Sequence, residues 1–122
     1  KNNAQSINQT SAPQLVLQGA PVVLECTYAA TGYPNLYWYV QHPGKAPLLL
    51  VNSIGQKEHN GFSAEHVQKT SSFHMEKAQA ELTDSGLYFC AFLFICRDER
   101  TYSLRVLTHP STAIFEYSST RA

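Results

Sequence analysis

Cys26 and Cys90 bracket a tryptophan, Trp38, that follows the first cysteine by twelve residues, and no other pattern in the chain restricts its folding so tightly. The separation of 64 residues between the two cysteines suits a bridge between strands far apart in sequence. No Cys-x-x-Cys or Cys/His cluster of zinc spacing competes for them. A disulfide requires an oxidising compartment, hence secretion or the cell surface. The triplet Asn8-Gln9-Thr10 is an N-glycosylation sequon, which agrees with that location and makes Asn8 the candidate acceptor. The third cysteine, Cys96, is left over. It is open to bonding another chain, to binding something, or to remaining a free thiol, and the last is favoured.

With 122 residues the chain is expected to form a single domain, 1–122. Nine basic residues balance nine acidic ones, so no single-signed field draws nucleic acid or anionic lipid to a surface. The longest apolar run, Leu87 to Cys96, falls well short of the roughly 20 residues that cross a bilayer as a helix. It reads instead as a buried strand running on into a loop. No basic segment followed by an apolar one stands at the N-terminus, so any signal peptide is expected to have been removed, and any membrane attachment would come from segments outside this sequence. His42, His59, His66, His74 and His109 lack metal-ligand spacing, and neither a nucleophile motif nor a phosphate-cradling glycine loop occurs. An enzyme is not expected, nor a metal or cofactor.

Short apolar or alternating segments recur between Gly, Pro, Asn and Ser clusters without a long helical period, which predicts an all-β chain. Gln14 to Gln18 and Pro21 to Thr27 read as the first two strands, with Val22, Leu24 and Cys26 on one face. Leu36 to Gln41 sets Leu36, Trp38 and Val40 inward against Tyr37, Tyr39 and Gln41, and His42-Pro43-Gly44-Lys45 turns the chain after it. Leu48 to Asn52 follows. Phe62 to Val67 and Ser71 to Lys77 read as a hairpin with Phe73 and Met75 on one face. After a polar turn at Glu81 to Ser85, Gly86 to Ala91 begins the strand that carries Cys90. About seven to nine such strands are what a two-sheet sandwich needs.

In Asp84-Ser85-Gly86-Leu87-Tyr88-Phe89-Cys90, Tyr88 stands two residues before the second cysteine. Combined with Cys26 and Trp38, this resembles the immunoglobulin sandwich, in which a bridge joins the sheets, the indole packs against it, and the tyrosine hydroxyl bonds back upstream. The stretch from Trp38 to Cys90 leaves room for the two additional strands of a variable-type (V-set) domain, giving a Greek-key sandwich of two antiparallel sheets. Four phrases together resemble T-cell receptor alpha variable segments over roughly residues 4 to 91. They are Leu36-Tyr37-Trp38-Tyr39-Val40-Gln41-His42-Pro43-Gly44, Gly61-Phe62-Ser63-Ala64-Glu65, Ser71-Ser72-Phe73-His74-Met75-Glu76-Lys77-Ala78 and Asp84-Ser85-Gly86-Leu87-Tyr88-Phe89-Cys90-Ala91. The Gly-Phe-x-Ala phrase, in place of the Arg-Phe-Ser common in antibody domains, favours the alpha or delta type. Past Ala91 the pattern departs, since no Phe-Gly-x-Gly occurs between Phe92 and Ala122. For the final strand, Tyr102 to Thr108 is preferred over Thr112 to Tyr117, which leaves a third loop of ordinary length.

The resemblance implies three recognition loops at one end: Tyr28 to Asn35, Asn52 to Lys57 and Phe92 to Arg100. The candidate contacts there are Tyr28, Tyr33, Asn35, Asn52, Ser53, Ile54, Gln56, Phe92, Phe94, Arg97, Asp98, Glu99 and Arg100. Because Phe92-Leu93-Phe94-Ile95 would expose four large apolar residues in succession, either they meet a partner or ligand or the strand runs on beyond residue 91. Tyr37, Tyr39, Gln41, Pro47 and Phe89 are expected to meet a partner variable domain, the glutamine through a mutual side-chain hydrogen bond. The implied function is antigen recognition: pairing with a T-cell receptor beta chain variable domain and binding a peptide held by a histocompatibility molecule (MHC), on the extracellular side of the plasma membrane. The isolated domain is also open to forming a homodimer through its aromatic face. The alternative is an unrearranged V-set adhesion or surrogate-receptor chain.

Overall fold

The alternating segments become strands of two facing sheets in the computed structural model, which describes residues 5–9, 13–30, 32–98 and 101–116, the side chains of 94–98 and 101–116 lying outside that description. In chain order the strands are β1 (Ser6–Gln9), β2 (Gln14–Leu17), β3 (Val22–Leu24), β4 (Cys26–Ala29), β5 (Asn35–Gln41), β6 (Leu48–Asn52), β7 (Glu58–His59), β8 (Phe62–Val67), β9 (Ser72–Lys77), β10 (Gly86–Asp98) and β11 (Thr101–Glu116). One sheet runs β1-β4-β9-β8-β7 with β3 also on β9; the other runs β2-β11-β10-β5-β6. Pairing is antiparallel except where β2 joins β11 in parallel at the edge. The Cys26–Cys90 disulfide ties β4 of the first sheet to β10 of the second.

Alternation along β5 fixes the core. Leu36, Trp38 and Val40 are buried while Tyr37, Tyr39 and Gln41 are half-buried on the other face, the period-2 pattern of a strand with one face inward. Trp38 lies opposite Cys90 in the β5–β10 register, and its indole Nε1 donates to the Phe73 carbonyl at 2.7 Å, so the ring spans both sheets without leaving its N–H unpaired. The Tyr88 hydroxyl donates to the carbonyl of Asp84, closing the corner ahead of β10. Burial pushes that hydroxyl's pKa well above its ordinary value, and the nearby Asp84 charge adds to the shift.

Three strand boundaries differ from expectation. A strand at Ser6–Gln9 precedes Gln14–Leu17 and forms the edge of the first sheet. Pro21 to Thr27 splits at Glu25 into β3 and β4, and the latter continues to Ala29. At the split the Cys26 N–H donates to His74 Nδ1 at 3.0 Å, a side chain standing in for a ladder carbonyl, while the flanking pairs Leu24↔Met75 and Thr27↔Ser72 keep register. The largest difference concerns the last hairpin: β10 continues to Asp98 and β11 spans Thr101–Glu116, so both stretches considered for the final strand fall in one. Their register is unbroken from Gly86↔Ala113 to Asp98↔Thr101.

Local chemistry explains the tight turns. Between β7 and β8 the two-residue loop Asn60-Gly61 has φ of 48° and 84°, the paired positive values of a hairpin turn that favours Asn-Gly. Gln9 closes the sandwich from inside. Its side-chain Nε2 donates to the Tyr88 carbonyl at 3.0 Å and its Oε1 accepts from the Cys90 N–H at 2.9 Å, joining β1 to the opposite sheet. Replacing Gln9 with alanine removes a buried hydrogen bond from each of two backbone groups, so a loss of about 2 kcal/mol is expected. A urea midpoint unchanged from the parent would contradict that assignment.

Candidate recognition and pairing surfaces

The outer face of the β5–β10 sheet is aromatic because β5 alternates and β10 aligns with it. Phe89 lies opposite Tyr39, Ala91 opposite Tyr37 and Leu87 opposite Gln41. Tyr37 and Tyr39 have ring centroids 6.3 Å apart with planes at 36°, and both are half-buried, as is Phe89, while Pro47 is exposed. Gln41 Nε2 donates to the Lys45 carbonyl at 3.1 Å, which orients the amide. A facing glutamine would use its second N–H and its oxygen.

The register between β5 and β6 shifts at Trp38/Tyr39, with Trp38↔Val51 and Tyr39↔Leu49, leaving Leu50 as the extra residue of a bulge. Alternation therefore breaks in β6: Leu50 and Val51 both turn into the core, while Leu48 and Leu49 are both exposed. Leu49 lies opposite Tyr39 and Leu48 opposite inward-facing Val40, so Leu49 joins the aromatic face, a residue that sequence reasoning missed. Only pairing register could reveal the bulge, since Leu48-Leu49-Leu50-Val51 carries no period of its own.

At the end where the first two proposed loops emerge, several candidate contacts belong to the scaffold instead. Tyr28 is not a loop residue: it lies in β4, 9% exposed. Asn35 opens β5 and Asn52 closes β6, both half-buried. Ser53, 7% exposed, uses its hydroxyl to accept the Leu36 N–H at 2.9 Å, and its own N–H donates to the Leu36 carbonyl, so it is a clamp between β5 and the second loop. Phe92 is a core residue of β10 at 0% exposure, because the strand continues where a loop was expected. Phe94, Arg97 and Asp98 also fall in that strand; their side chains, and Glu99 and Arg100 altogether, lie outside the described residues.

What remains projecting is Tyr33 at 58% and Ile54 at 65%. Gln56 is exposed, but its Nε2 donates to the Leu50 carbonyl at 2.8 Å and lies 3.1 Å from His59 Nδ1. Asn52 Oδ1 accepts the Gly55 N–H, and the Asn52 N–H donates to the Gln56 carbonyl at 2.7 Å, so the second loop is a tight turn offering Ile54 at its tip.

Beneath Tyr33 lies His66 of β8, another residue that sequence reasoning left without a role. Its ring meets Tyr33 at 4.8 Å between centroids, Tyr28 edge-on at 5.5 Å and Phe73 edge-on at 6.3 Å. Its Nε2 is 2.6 Å from the Tyr28 hydroxyl. The other ring nitrogen, Nδ1, is buried without a hydrogen-bond partner among the described residues. Burial holds the His66 pKa below its ordinary 6.5 and raises that of Tyr28, the latter opposed by a hydrogen bond with Ser71.

Comparison with known proteins bears on both surfaces. The family model described as Immunoglobulin V-set domain matches residues 9–107. The chain is 46% identical over 94 residues to T-cell receptor alpha chain V region CTL-F3 of Mus musculus, covering 75% of this chain and 71% of that one. It is 38% identical over 94 residues to T cell receptor alpha variable 9-2 of Homo sapiens, covering 75% and 84%. With T-cell receptor alpha chain V region RL-5 of Oryctolagus cuniculus it shares 38% over 94 residues, covering 75% and 70%.

Proposed function

The chain belongs to the V-set immunoglobulin domains and, among them, to the T-cell receptor alpha variable regions, and from that premise we propose that it recognises antigen after pairing with a beta-chain variable domain. The observation that carries the pairing is the aromatic face of Tyr37, Tyr39 and Phe89, flanked by exposed Leu49 opposite Tyr39. Such a patch is costly to leave wet, and aromatic side chains dominate the centres of protein interfaces. Gln41 and Pro47 lie at its margin in this reading. The ligand is a peptide held by a histocompatibility molecule, met by Tyr33 and Ile54. Recognition proceeds by surface complementarity, with no covalent step. The delta type is served by the same surfaces. A single V-type domain across the chain, placed outside the cell and carrying a glycan on exposed Asn8, completes the proposal.

Sedimentation of the chain with and without a beta variable domain tests the pairing. A mixed dimer is expected, and its absence would sink the proposal; a homodimer of the chain alone would show as a second boundary. Tyr39→Asp places a charge at the centre of the face and is expected to weaken the mixed dimer at least about tenfold, roughly 1.4 kcal/mol, without shifting the melting temperature much. A dimer of unchanged affinity would locate the interface elsewhere.

One observation favours a second reading, an unrearranged V-set adhesion or surrogate-receptor chain. The β10–β11 register runs unbroken through the segment where a joining sequence with Phe-Gly-x-Gly would introduce a bulge. A transcript carrying one contiguous exon through Ala122 would support it, whereas non-template nucleotides at the junction would support rearrangement.

A further inference from the structure

We propose that His66 is the positioning residue of the first recognition loop, holding Tyr33 from outside the loop and releasing it when the imidazole takes a second proton. The inference rests on the reading that Tyr33 belongs to a recognition surface, but its geometry stands separately. Ala30 and residues 32–34 form the described part of that loop between β4 and β5, and the exposed Tyr33 ring lies on His66 at 4.8 Å, a tilted stack at 39°. Among the described residues no hydrogen bond holds the Tyr33 side chain, and the imidazole is its platform. The platform is itself fixed from behind. Tyr28 of β4 engages Nε2, and Phe73 of β9 and Tyr28 present their rings at 84° and 63°.

The neutral ring fits this niche and the cation does not. One nitrogen meets the Tyr28 hydroxyl; the other, Nδ1, is enclosed with no hydrogen-bond partner among the described residues. A neutral imidazole with its proton on Nε2 leaves only a lone pair at Nδ1. An imidazolium carries an N–H at both positions, and burying the second unpaired, in charged form, is strongly unfavourable. To reach water at Nδ1 the ring must leave its place between Tyr28 and Tyr33. Among the described residues the titratable groups whose rings face His66 are Tyr28 from β4 and Tyr33 from the loop; Phe73 is what β9 presents, and β10 contributes Phe92 behind Tyr28. Within β8 itself, Glu65 alternates to the opposite face, paired with His74. No carboxylate among them would stabilise the cation.

The sign of the effect follows from burial. The folded chain binds the His66 proton less tightly than the unfolded chain, whose histidine titrates near 6.5. Above that pH both states are neutral and nothing changes; below it, protons favour the unfolded or locally opened state, so order is lost as pH falls.

Amide order parameters of Gly32 and Tyr33, measured by NMR on the ligand-free chain, test the proposal. At about pH 7.5 the parent should give values near 0.85, falling below about 0.6 at about pH 5. His66→Phe keeps a ring under Tyr33 but cannot titrate, and should hold near 0.85 at both pH values. His66→Ala removes the platform and should lie below about 0.6 at both. The Trp38 indole resonance reports that the core is intact. The proposal is overturned if Tyr33 in His66→Ala is as ordered as in the parent, or if the acid loss persists in His66→Phe, which would assign it to another group. Should His66→Ala not fold, the parent and His66→Phe still decide the matter. No ligand or partner is in the sample, so failure to form the mixed dimer would refute the recognition reading and leave this result standing.

Discussion

Cys26→Ala/Cys90→Ala is expected to leave the chain largely unfolded at body temperature. The bridge closes a 64-residue stretch, and in the chain-entropy account a loop of that length contributes about 4 kcal/mol by restricting the unfolded chain. That is comparable to the whole stability of a small domain, roughly 5–15 kcal/mol. The topology strengthens the argument, because the bond joins β4 and β10 across the two sheets at the centre of the core, where both cysteines are at 0% exposure. Removing the sulfurs also loosens the packing around Trp38. Urea denaturation of the oxidised chain, the reduced chain and the double variant checks this. The latter two should show midpoints well below the first, and coincident midpoints for all three would mean that packing alone holds the sheets together.

Lys77→Met is expected to cost about 3–5 kcal/mol, because it strands a buried carboxylate. Lys77 Nζ reaches Asp84 at 3.0 Å and 2.8 Å, with the two side chains 6% and 10% exposed, and it lies 5.0 Å from the centre of the Phe62 ring. Glu81 at 3.6 Å is 65% exposed and contributes little by comparison. Gly61 stands beside the pair. A Cβ at Gly61 would lie 3.1 Å from Lys77 Cε, so a larger residue in the Gly61-Phe62 phrase would push against the lysine stem. Lys77→Met/Asp84→Leu should recover part of the loss by removing both charges. It should not recover all of it, since Asp84 Oδ2 also accepts the Glu81 N–H at 2.8 Å and caps the turn Leu82–Asp84. A double-mutant cycle in urea separates the terms, and a single-variant loss under about 1 kcal/mol would show that water reaches the pair.

How much was legible beforehand depended on whether a residue's role is local or shared. Trp38, the cysteines and the alternation of β5 declare themselves, because a half-buried strand imposes period 2 on its own sequence whatever it pairs with. Tyr37, Tyr39 and Phe89 could be assigned to one face on the same grounds. Leu49 could not, because its place opposite Tyr39 is set by the bulge at Leu50, which exists only in the pairing of β6 with β5. Phe92 was misread for a related reason. Four apolar residues in a row fit either a buried strand or an exposed loop, and the choice lies with β11, whose partner residues are met only after the chain has turned back.

Tyr28 and Ser53 show the same limit at the loop bases. Tyrosine, serine and asparagine suit a binding loop by composition, yet the hydroxyl of Ser53 is used on the Leu36 N–H and that of Tyr28 on His66. His66 itself carried no motif. Its environment is assembled from β4, β8, β9 and the first loop, four segments that nothing in the linear order joins.

The sequence by itself determined the sandwich and its variable type, through the Cys26, Trp38 and Cys90 framework and the strand periods around it, since burial pattern and covalent closure are properties of each strand. The tertiary structure alone decided where the last strands end, which loop residues are free to project, and how Lys77 and His66 are employed. Those outcomes depend on register and on burial between distant segments, and a polar or aromatic side chain has no fixed role until its neighbours either satisfy it or leave it facing water.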